Sequence, residues 1–330
     1  MNTLLESAIL SGASDLHIST DQIAKVRING ELYNITPITE PNILYSPLEL
    51  LEQINLLLGY HDQIRLSDIY IKKAFNISCK FNEQFRIRIN ISQHYHGIAC
   101  AMRIINNNIK SLDDISVPPQ LKQITQYNNG LVIITGKTGS GKSTTIANVI
   151  QSINLNQRKH IITLEDPIEF VYHNQNSLIH QIELNTHTSN LETALVEALR
   201  QDPNIIVIGE LRTKESIKQA LYAAEAGHLV ISTLHSNSAT DAINRMIHFL
   251  DDHERIVLAT TLKAVIAQKL IMLNNSYFTA NYEILFTTHA IQNLIIEGKT
   301  AQINNILSAS KNQGMLTFEQ HLQELKNLLI

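Results

Sequence analysis

The sequence is poor in the features that mark several protein classes. It has only two cysteines in 330 residues, Cys79 and Cys100, and they are far apart. Two thiols cannot form a disulfide framework or a four-sulfur zinc site, so we expect both to act as small apolar residues in strands. No apolar run approaches the roughly 20 residues that a membrane span needs.

An excess of positive charge is also lacking. The chain has 26 Lys and Arg residues against 30 Asp and Glu residues, and its formal net charge is −4. This balance gives no general attraction for nucleic acid or anionic lipid, although it allows a local basic patch. The first residues include Glu6 and no basic segment before an apolar stretch, unlike a signal peptide. We therefore expect a soluble, cytoplasmic protein with no stable nucleic-acid partner.

Residues 1–105 predict a small α+β domain. The pair Asn29-Gly30 between two alternating segments is the strongest short signal for a β-hairpin. Ser46 precedes a segment with helical apolar spacing and is a suitable N-cap. The predicted elements are a polar turn at 13–17, a hairpin at 25–35, a helix at 46–58, and paired strands at 85–91 and 96–105.

A polar linker at 106–119 ends in Pro118-Pro119 and separates this domain from residues 120–330. In the second domain, apolar runs alternate with helical patterns, which is typical of an α/β fold with a buried parallel sheet. We expect the C-terminal third to be helical, with a capping box at Thr317. The four predicted strands are 131–135, 160–164, 205–208 and 229–234.

A phosphate-binding loop follows the first of these strands. Residues 136–143 match the P-loop pattern position by position, between a strand and a predicted helix. Its main-chain N–H groups and the helix N-terminus would bind the phosphates of ATP or GTP. Lys142 should reach the β and γ phosphates, and the Ser143 hydroxyl should bind Mg²⁺. The expected nucleotide-binding residues are Gly136, Lys137, Thr138, Gly139, Ser140, Gly141, Lys142, Ser143 and Thr144.

Two other strands end in acidic residues. Glu210 follows the apolar run 205–208, and Glu165 and Asp166 follow the run at 160–164. Acids at the carboxyl ends of parallel strands face the ligand crevice, so we expect two acid-bearing strands beside the P-loop strand. Glu210 should help to hold Mg²⁺, directly or through water, and Glu165 is favoured over Asp166 as the residue that activates water.

Histidines flank the last strand, with His228 before it and His235 after it. Their spacing puts them on opposite faces of a regular strand, so a shared metal site is not expected. His235 lies at the carboxyl end, where a sensor of the γ-phosphate would sit. The alternative for His235 is a hydrogen-bonded packing residue.

These segments together resemble the secretion ATPase superfamily, and most of all its type IV pilus retraction ATPases, the motors of twitching motility. The resemblance covers nearly the whole chain. It rests on an opening motif at 13–18, a Walker A motif at 136–145, an Asp box at 161–171, a Walker B region at 198–212 and a His box at 223–236.

The resemblance implies a homo-hexamer of chains, each with a PAS-like N-terminal domain and a RecA-like ATPase domain that binds ATP with Mg²⁺. It further implies that Arg88 and Arg103, with Arg86 nearby, reach a neighbouring subunit's nucleotide, although spacing alone makes Arg86 and Arg88 a solvated strand face. His228 and His235 join Glu165 and Glu210 on the family's catalytic positions. The implied partner is an inner-membrane pilus platform protein, which would provide the only membrane association.

The chain also departs from the family pattern. His96, Ile182, Gln292 and Ile296 each stand where the family has an arginine, and Thr213 replaces an aspartate. None of these positions belongs to the P-loop. The favoured function is a retraction motor, because assembly ATPases have a longer N-terminal region and a four-cysteine zinc element.

Three alternatives stay open at this point. An assembly ATPase for pili, type II secretion or DNA uptake is compatible with the altered C-terminal motif at 290–297. A non-hydrolysing, nucleotide-dependent scaffold is opposed by the acids at 165 and 210, since a pure binder needs no water-activating group. A DNA-translocating protein is opposed by the acidic charge balance.

Overall fold

The computed structural model describes residues 1–35, 44–59, 64–72, 74–82, 84–106, 108–115, 117–273 and 277–327. The chain forms two compact units. The first comprises Met1–Asn108 and Pro167–Val171, and the second comprises Ile109–Asp166 and Tyr172–Ile330. In the part of the chain that the structure describes, no helix is both long and apolar enough to cross a membrane.

The first unit is built on an antiparallel sheet of six strands in the order β3-β2-β1-β6-β5-β4. Its core is formed by buried aliphatic residues of that sheet and of three helices, such as Leu5, Leu50 and Ile69. Its elements are α1 (Asn2–Leu10), β1 (Asp15–Ser19), β2 (Lys25–Ile28), β3 (Glu31–Asn34), α2 (Pro47–Leu58), α3 (Leu66–Lys72), β4 (Ala74–Lys80), β5 (Phe85–His94) and β6 (Gly97–Asn106).

Most predictions for this unit are confirmed. The hairpin β2–β3 turns at Asn29-Gly30, and Ser46 forms a capping box with Glu49 at the start of α2. The turn predicted at 13–17 is wrong, because this segment enters strand β1. Leu16 is fully buried there, and β1 is paired on both sides, with β2 and β6.

The second unit contains a seven-stranded sheet in the order β13-β12-β7-β11-β10-β8-β9. Its neighbouring strands are parallel except for the pair β12–β13. Its elements are β7 (Gly130–Thr135), α4 (Lys142–Asn156), β8 (His160–Glu165), β9 (Leu178–Glu183), α5 (Leu191–Leu199), β10 (Ile205–Ile208), α6 (Lys214–Glu225), β11 (Leu229–Leu234), α7 (Ala239–Phe249), α8 (Asp252–Thr261), β12 (Leu262–Leu273), β13 (Tyr277–Phe286), α9 (His289–Ile296), α10 (Ile303–Ala309) and α11 (Phe318–Asn327).

Strands β7, β10 and β11 are buried along their whole length. This explains their continuous apolar sequences, because a parallel strand with both faces covered has no solvent side. All four predicted strands are confirmed, as is the capping box at Thr317, whose main-chain N–H donates to Gln320 and whose hydroxyl accepts from it.

Two predictions for the second unit need correction. The C-terminal third is not purely helical, because β12 and β13 form a long antiparallel pair within it. The strands that carry Glu210 and Glu165 are also not next to the P-loop strand. Strand β11 lies between β7 and β10, and β8 lies beyond β10.

Residues Pro167–Val171 join the first unit although they directly follow β8 of the second. Within the first unit, Glu169 lies 3.5 Å from the Arg88 guanidinium. The sequence did not indicate this excursion. The domain limits 1–105, 106–119 and 120–330 stay predictions.

Candidate functional site

The P-loop joins the buried end of β7 to the start of α4. Gly141 immediately precedes α4 and has φ 88°, a left-handed conformation that favours glycine. At the other end of the loop, a Cβ on Gly136 would collide with Ser140 Oγ and with the main-chain oxygen of Gln268. The fit of this loop therefore depends on glycine at both positions.

The outer side of the loop is open. Lys137, Thr138 and Gly139 are exposed, as are Ser143 and Thr144 in the first turn of α4. The N–H groups of this first turn have no partners within the helix, and the positive end of the helix dipole lies at the same place. The loop therefore presents main-chain donors and partial positive charge to any phosphate bound there.

The Lys142 ammonium is drawn inward over the loop. Its Nζ donates to the main-chain oxygens of Gly136 at 2.8 Å and Lys137 at 3.1 Å. The residue is 8% exposed. A buried ammonium enclosed by the loop is well placed to bind phosphate oxygens, because hydrogen bonds to charged acceptors are stronger than those to neutral main-chain oxygens.

The loop is supported from behind by Gln268 of β12. Its Nε2 donates to Ser140 O at 2.7 Å, and its Oε1 accepts from the Thr145 hydroxyl at 2.7 Å. Gln268 was not among the predicted site residues, because β12 was predicted to be helical. A signal was present, since Gln268 is the first polar residue after the apolar run 264–267.

On the other side of the P-loop, Glu210 contacts two cationic or potentially cationic groups. Its Oε1 lies 3.2 Å from His235 Nε2, and its Oε2 accepts from Arg212 Nε at 2.8 Å. The Glu210 side chain is 19% exposed. Glu210 and His235, predicted separately from two strand ends, are thus in direct contact. The partner Arg212 was identified only as part of a family motif.

The segment that carries His235 is tied to the start of the P-loop by Thr135. The Thr135 hydroxyl accepts from Ser236 N at 2.9 Å and lies 3.2 Å from the main-chain oxygens of Leu234 and Ser236. Arg245, which lies on helix α7, donates to His235 O at 3.1 Å. The backbone on both sides of His235 is therefore held from the residue that directly precedes the P-loop.

Glu165 lies at the carboxyl end of β8. Its Oε1 accepts from the Thr163 hydroxyl at 2.7 Å and from Gln181 Nε2 at 3.1 Å. Asp166 is exposed. With neighbouring strands about 4.8 Å apart, β10 lies about 10 Å and β8 about 14 Å from β7. Glu165 is thus farther from the P-loop strand than Glu210, and its hydrogen bonds orient its carboxylate.

His228 lies at the amino ends of the parallel strands, whereas the P-loop lies at their carboxyl ends. It precedes β11, whose first residue pairs with Gly130 at the amino end of β7, whereas the P-loop follows the carboxyl end. The six residues of β11 span about 20 Å. His228 Nδ1 lies 3.1 Å from Ala223 O. The structure therefore does not bring His228 to the P-loop of the same chain, although His228 was expected among the catalytic residues.

Arg88 and Arg103 both belong to the first unit. They are directly opposite each other on β5 and β6, where two like charges repel. A carboxylate accompanies each of them, since Arg88 lies 3.5 Å from Glu169 and Arg103 Nε lies 3.0 Å from Asp15. Their action on a nucleotide stays a prediction.

The donor set at the P-loop fits Mg²⁺. Hydroxyl and carboxylate oxygens, such as those of Ser143 and Glu210, are the hard ligands that Mg²⁺ prefers, and this ion is commonly held by one or two protein groups plus substrate phosphates. Over the described ranges, no cluster of three or more His, Cys, Asp or Glu residues could hold a metal by itself.

The departures from the family pattern have simple local environments. Thr213 is the N-cap of α6 and forms a capping box with Ser216, a role that aspartate performs equally well. Ile182 packs against the core of the second unit. Gln292 Oε1 lies 2.9 Å from His289 Nδ1, and Ile296 is 40% exposed on α9.

Comparisons with known proteins agree with this geometry. A family model described as "Type II/IV secretion system protein" matches residues 1–324. The chain is 35% identical to the uncharacterized protein YggR of Escherichia coli K12, over 98% of this chain and 97% of that protein. It is 34% identical to the type IV pilus retraction ATPase PilT of Pseudomonas aeruginosa, over 98% and 92% of the two chains.

A solved structure extends the likeness to three dimensions. The crystal structure of the pilus retraction motor PilT with bound ADP is similar with a TM-score of 0.83 and 32% identity, over 98% of this chain and 96% of that chain. Since the match covers both units, the predicted fold class is confirmed. It is a smaller N-terminal α+β, PAS-like domain followed by a RecA-like P-loop domain.

Proposed function

The chain belongs to the type II/IV secretion system protein family, and from that premise we propose that it is a motor ATPase that powers type IV pilus retraction. The observation that carries the proposal is the contact of 3.2 Å between Glu210 and His235 at the same sheet edge as a complete P-loop. A protein that only bound nucleotide would have no use for a carboxylate coupled to a histidine that senses the γ-phosphate.

Each group has a distinct part in hydrolysis. The P-loop amides and Lys142 bind the β and γ phosphates, and Ser143 with Glu210 would hold the Mg²⁺ that neutralises charge on them. Glu165, oriented by Thr163 and Gln181, accepts the proton of the attacking water. His235 faces the γ-phosphate position and passes its presence or loss to Glu210.

The remaining expectations belong to the same proposal. We place the protein in a homo-hexamer in which Arg88 and Arg103 of one subunit stabilise charge on the nucleotide of the next. Opening and closing of each domain pair would turn an inner-membrane pilus platform protein. The hexamer would work at the cytoplasmic face of that membrane, bound only through this partner.

The biochemical test is calorimetry with MgADP together with MgATP turnover by the purified protein. Binding and turnover are expected, and a folded protein that binds no MgADP would refute the whole proposal. Binding without turnover would favour the scaffold, and turnover that depends on DNA would favour a translocase.

The cellular test is a count of surface pili in a strain that lacks the gene. A retraction motor predicts abundant pili that do not retract, because assembly continues unopposed. A strain without pili would instead identify the protein as an assembly ATPase. Complementation with Lys142→Ala should fail in either case, since the loop would lose its only buried cation for the phosphates.

A further inference from the structure

We propose that Gln268 is a positioning residue of the nucleotide site, which turns the Ser140–Gly141 peptide so that the Gly141 N–H faces the phosphates. The inference rests on the proposed nucleotide binding. It concerns a side chain 126 positions beyond Lys142 in the sequence, on a strand that carries none of the predicted site residues.

The contacts place the Gln268 amide between the two ends of the turn that leads into α4. Nε2 donates to Ser140 O at 2.7 Å, before the helix, and Oε1 accepts from the Thr145 hydroxyl at 2.7 Å, within its first turn. The same Nε2 would lie 2.8 Å from a Cβ on Gly141. One side chain thus fixes both the carbonyl on one side of Gly141 and the helix that follows it.

Peptide planarity converts this contact into a direction for an N–H group. In a trans peptide the C=O and the following N–H point in opposite directions. Because Gln268 draws Ser140 O toward β12, the Gly141 N–H must point away from β12. The exposed residues of the loop, such as Lys137 and Ser143, leave a side open to solvent, and we assign the Gly141 N–H to that side, where the proposed function puts the phosphates. Gly141 can accept this orientation because its φ of 88° carries no steric cost in glycine.

A purely structural role is the alternative explanation. Gln268 is 2% exposed, and a buried amide needs hydrogen-bond partners wherever it lies. The two explanations differ in what a substitution changes. Loss of a structural hydrogen bond lowers stability, whereas loss of a positioning hydrogen bond also weakens phosphate binding in protein that remains folded.

The test compares Gln268→Met with a matched control. Methionine keeps the length of glutamine and removes both hydrogen bonds. The control is Asn154→Leu, which also removes a buried amide that donates to a main-chain oxygen, in this case His173 O at 2.8 Å. Asn154 is fully buried near the C-terminal end of α4, away from the P-loop. Each variant is titrated calorimetrically with MgADP and with magnesium pyrophosphate, and its thermal unfolding is recorded.

For Gln268→Met we expect the Kd of ADP and the Kd of pyrophosphate to rise by the same factor, about tenfold, as for one lost hydrogen bond to a charged group. Pyrophosphate has no base or ribose, so equal losses locate the effect at the phosphates. The KM for ATP should rise with a kcat within about threefold of wild type, because the amide contact is the same in the ground and transition states. Asn154→Leu should lower the unfolding temperature and leave both Kd values unchanged.

Wild-type Kd values for Gln268→Met, measured below its unfolding temperature, would overturn the proposal. If that variant does not fold, Gln268→Leu replaces it, because the smaller leucine also removes both hydrogen bonds; wild-type Kd values there would be equally decisive. A wild-type protein that binds neither ligand would instead refute the proposed function, so the two failures are distinguishable.

Discussion

Replacing Glu210 with glutamine is the sharpest test of the proposed chemistry, because it removes a charge and almost no volume. The carboxylate contacts His235 through Oε1 at 3.2 Å and Arg212 through Oε2 at 2.8 Å. A glutamine has one oxygen and one NH₂ group in place of the two oxygens, so it turns an NH₂ group toward one of these two partners.

The expected loss of activity is at least about a hundredfold in kcat, the lower range for losing one preorganised group that stabilises charge in the transition state. This corresponds to about 2.7 kcal/mol in the activation barrier, at 1.36 kcal/mol for each factor of ten. Nucleotide affinity should change much less, because Glu210 does not belong to the loop at 136–143 whose amides bind phosphate.

The assay is phosphate release at saturating MgATP, with MgADP calorimetry on the same preparation. Glu197→Gln is a suitable control, because Glu197 also pairs with an arginine, Arg200 at 2.8 Å, but on the exposed surface of α5. We expect wild-type turnover for this control. A Glu210→Gln protein within threefold of the wild-type rate would exclude Glu210 from the mechanism, and equal losses in both variants would indicate a general effect of charge.

Three further predictions follow from other contacts. Thr135→Val leaves Ser236 N without its buried partner and should cost about 1–3 kcal/mol in urea unfolding while also lowering kcat. Burial raises the pKa of Glu283 in the folded protein, so the folded state loses stability as the pH rises above the pKa that this carboxyl group has in the unfolded chain. Glu283→Gln should therefore melt at a higher temperature than the wild type at pH 7, and this difference should shrink toward pH 4. Thr213→Ala removes the N-cap of α6, so its free energy of unfolding in denaturant should fall by about 1 kcal/mol, whereas Thr213→Asp keeps a capping side chain and should lose almost none.

The parts of the fold that the sequence predicted are those with a local physical signature. The P-loop needs glycines at fixed positions, the β2–β3 hairpin needs Asn29-Gly30, and fully buried parallel strands need continuous apolar runs. Strand β12 carries such a run, at 264–267, within a region that was predicted to be helical. Periodicity cannot separate a strand buried on both faces from a buried helix segment, and here both the strand and Gln268 were lost.

The order of strands in the sheet was not available from local patterns at all. Nothing in the sequences of β10 and β11 states which of them is next to β7, so Glu210 was expected one strand closer to the P-loop than it lies. His235 was singled out from its place at the carboxyl end of a strand, whereas His228 was added only through the family resemblance. The parallel register of β11 with β7 places the end of β11 that His235 follows beside the P-loop end of β7, and the end that follows His228 beside the amino end of β7.

Because of the strand order, the two ends of the P-loop form hydrogen bonds with different strands. Gln268 holds the exit of the loop through hydrogen bonds with Ser140 and Thr145, on the side of β12. Thr135 holds the entrance through the backbone around His235, whose imidazole lies 3.2 Å from Glu210. A shift of about 1 Å at the entrance is enough to break that contact, because the two atoms would then lie beyond the roughly 4 Å that limits a close ion pair. We therefore expect loss of the Gln268 hydrogen bonds to raise KM and loss of the Thr135 hydrogen bonds to lower kcat. Substitutions at the two ends of the same loop should thus change different kinetic constants.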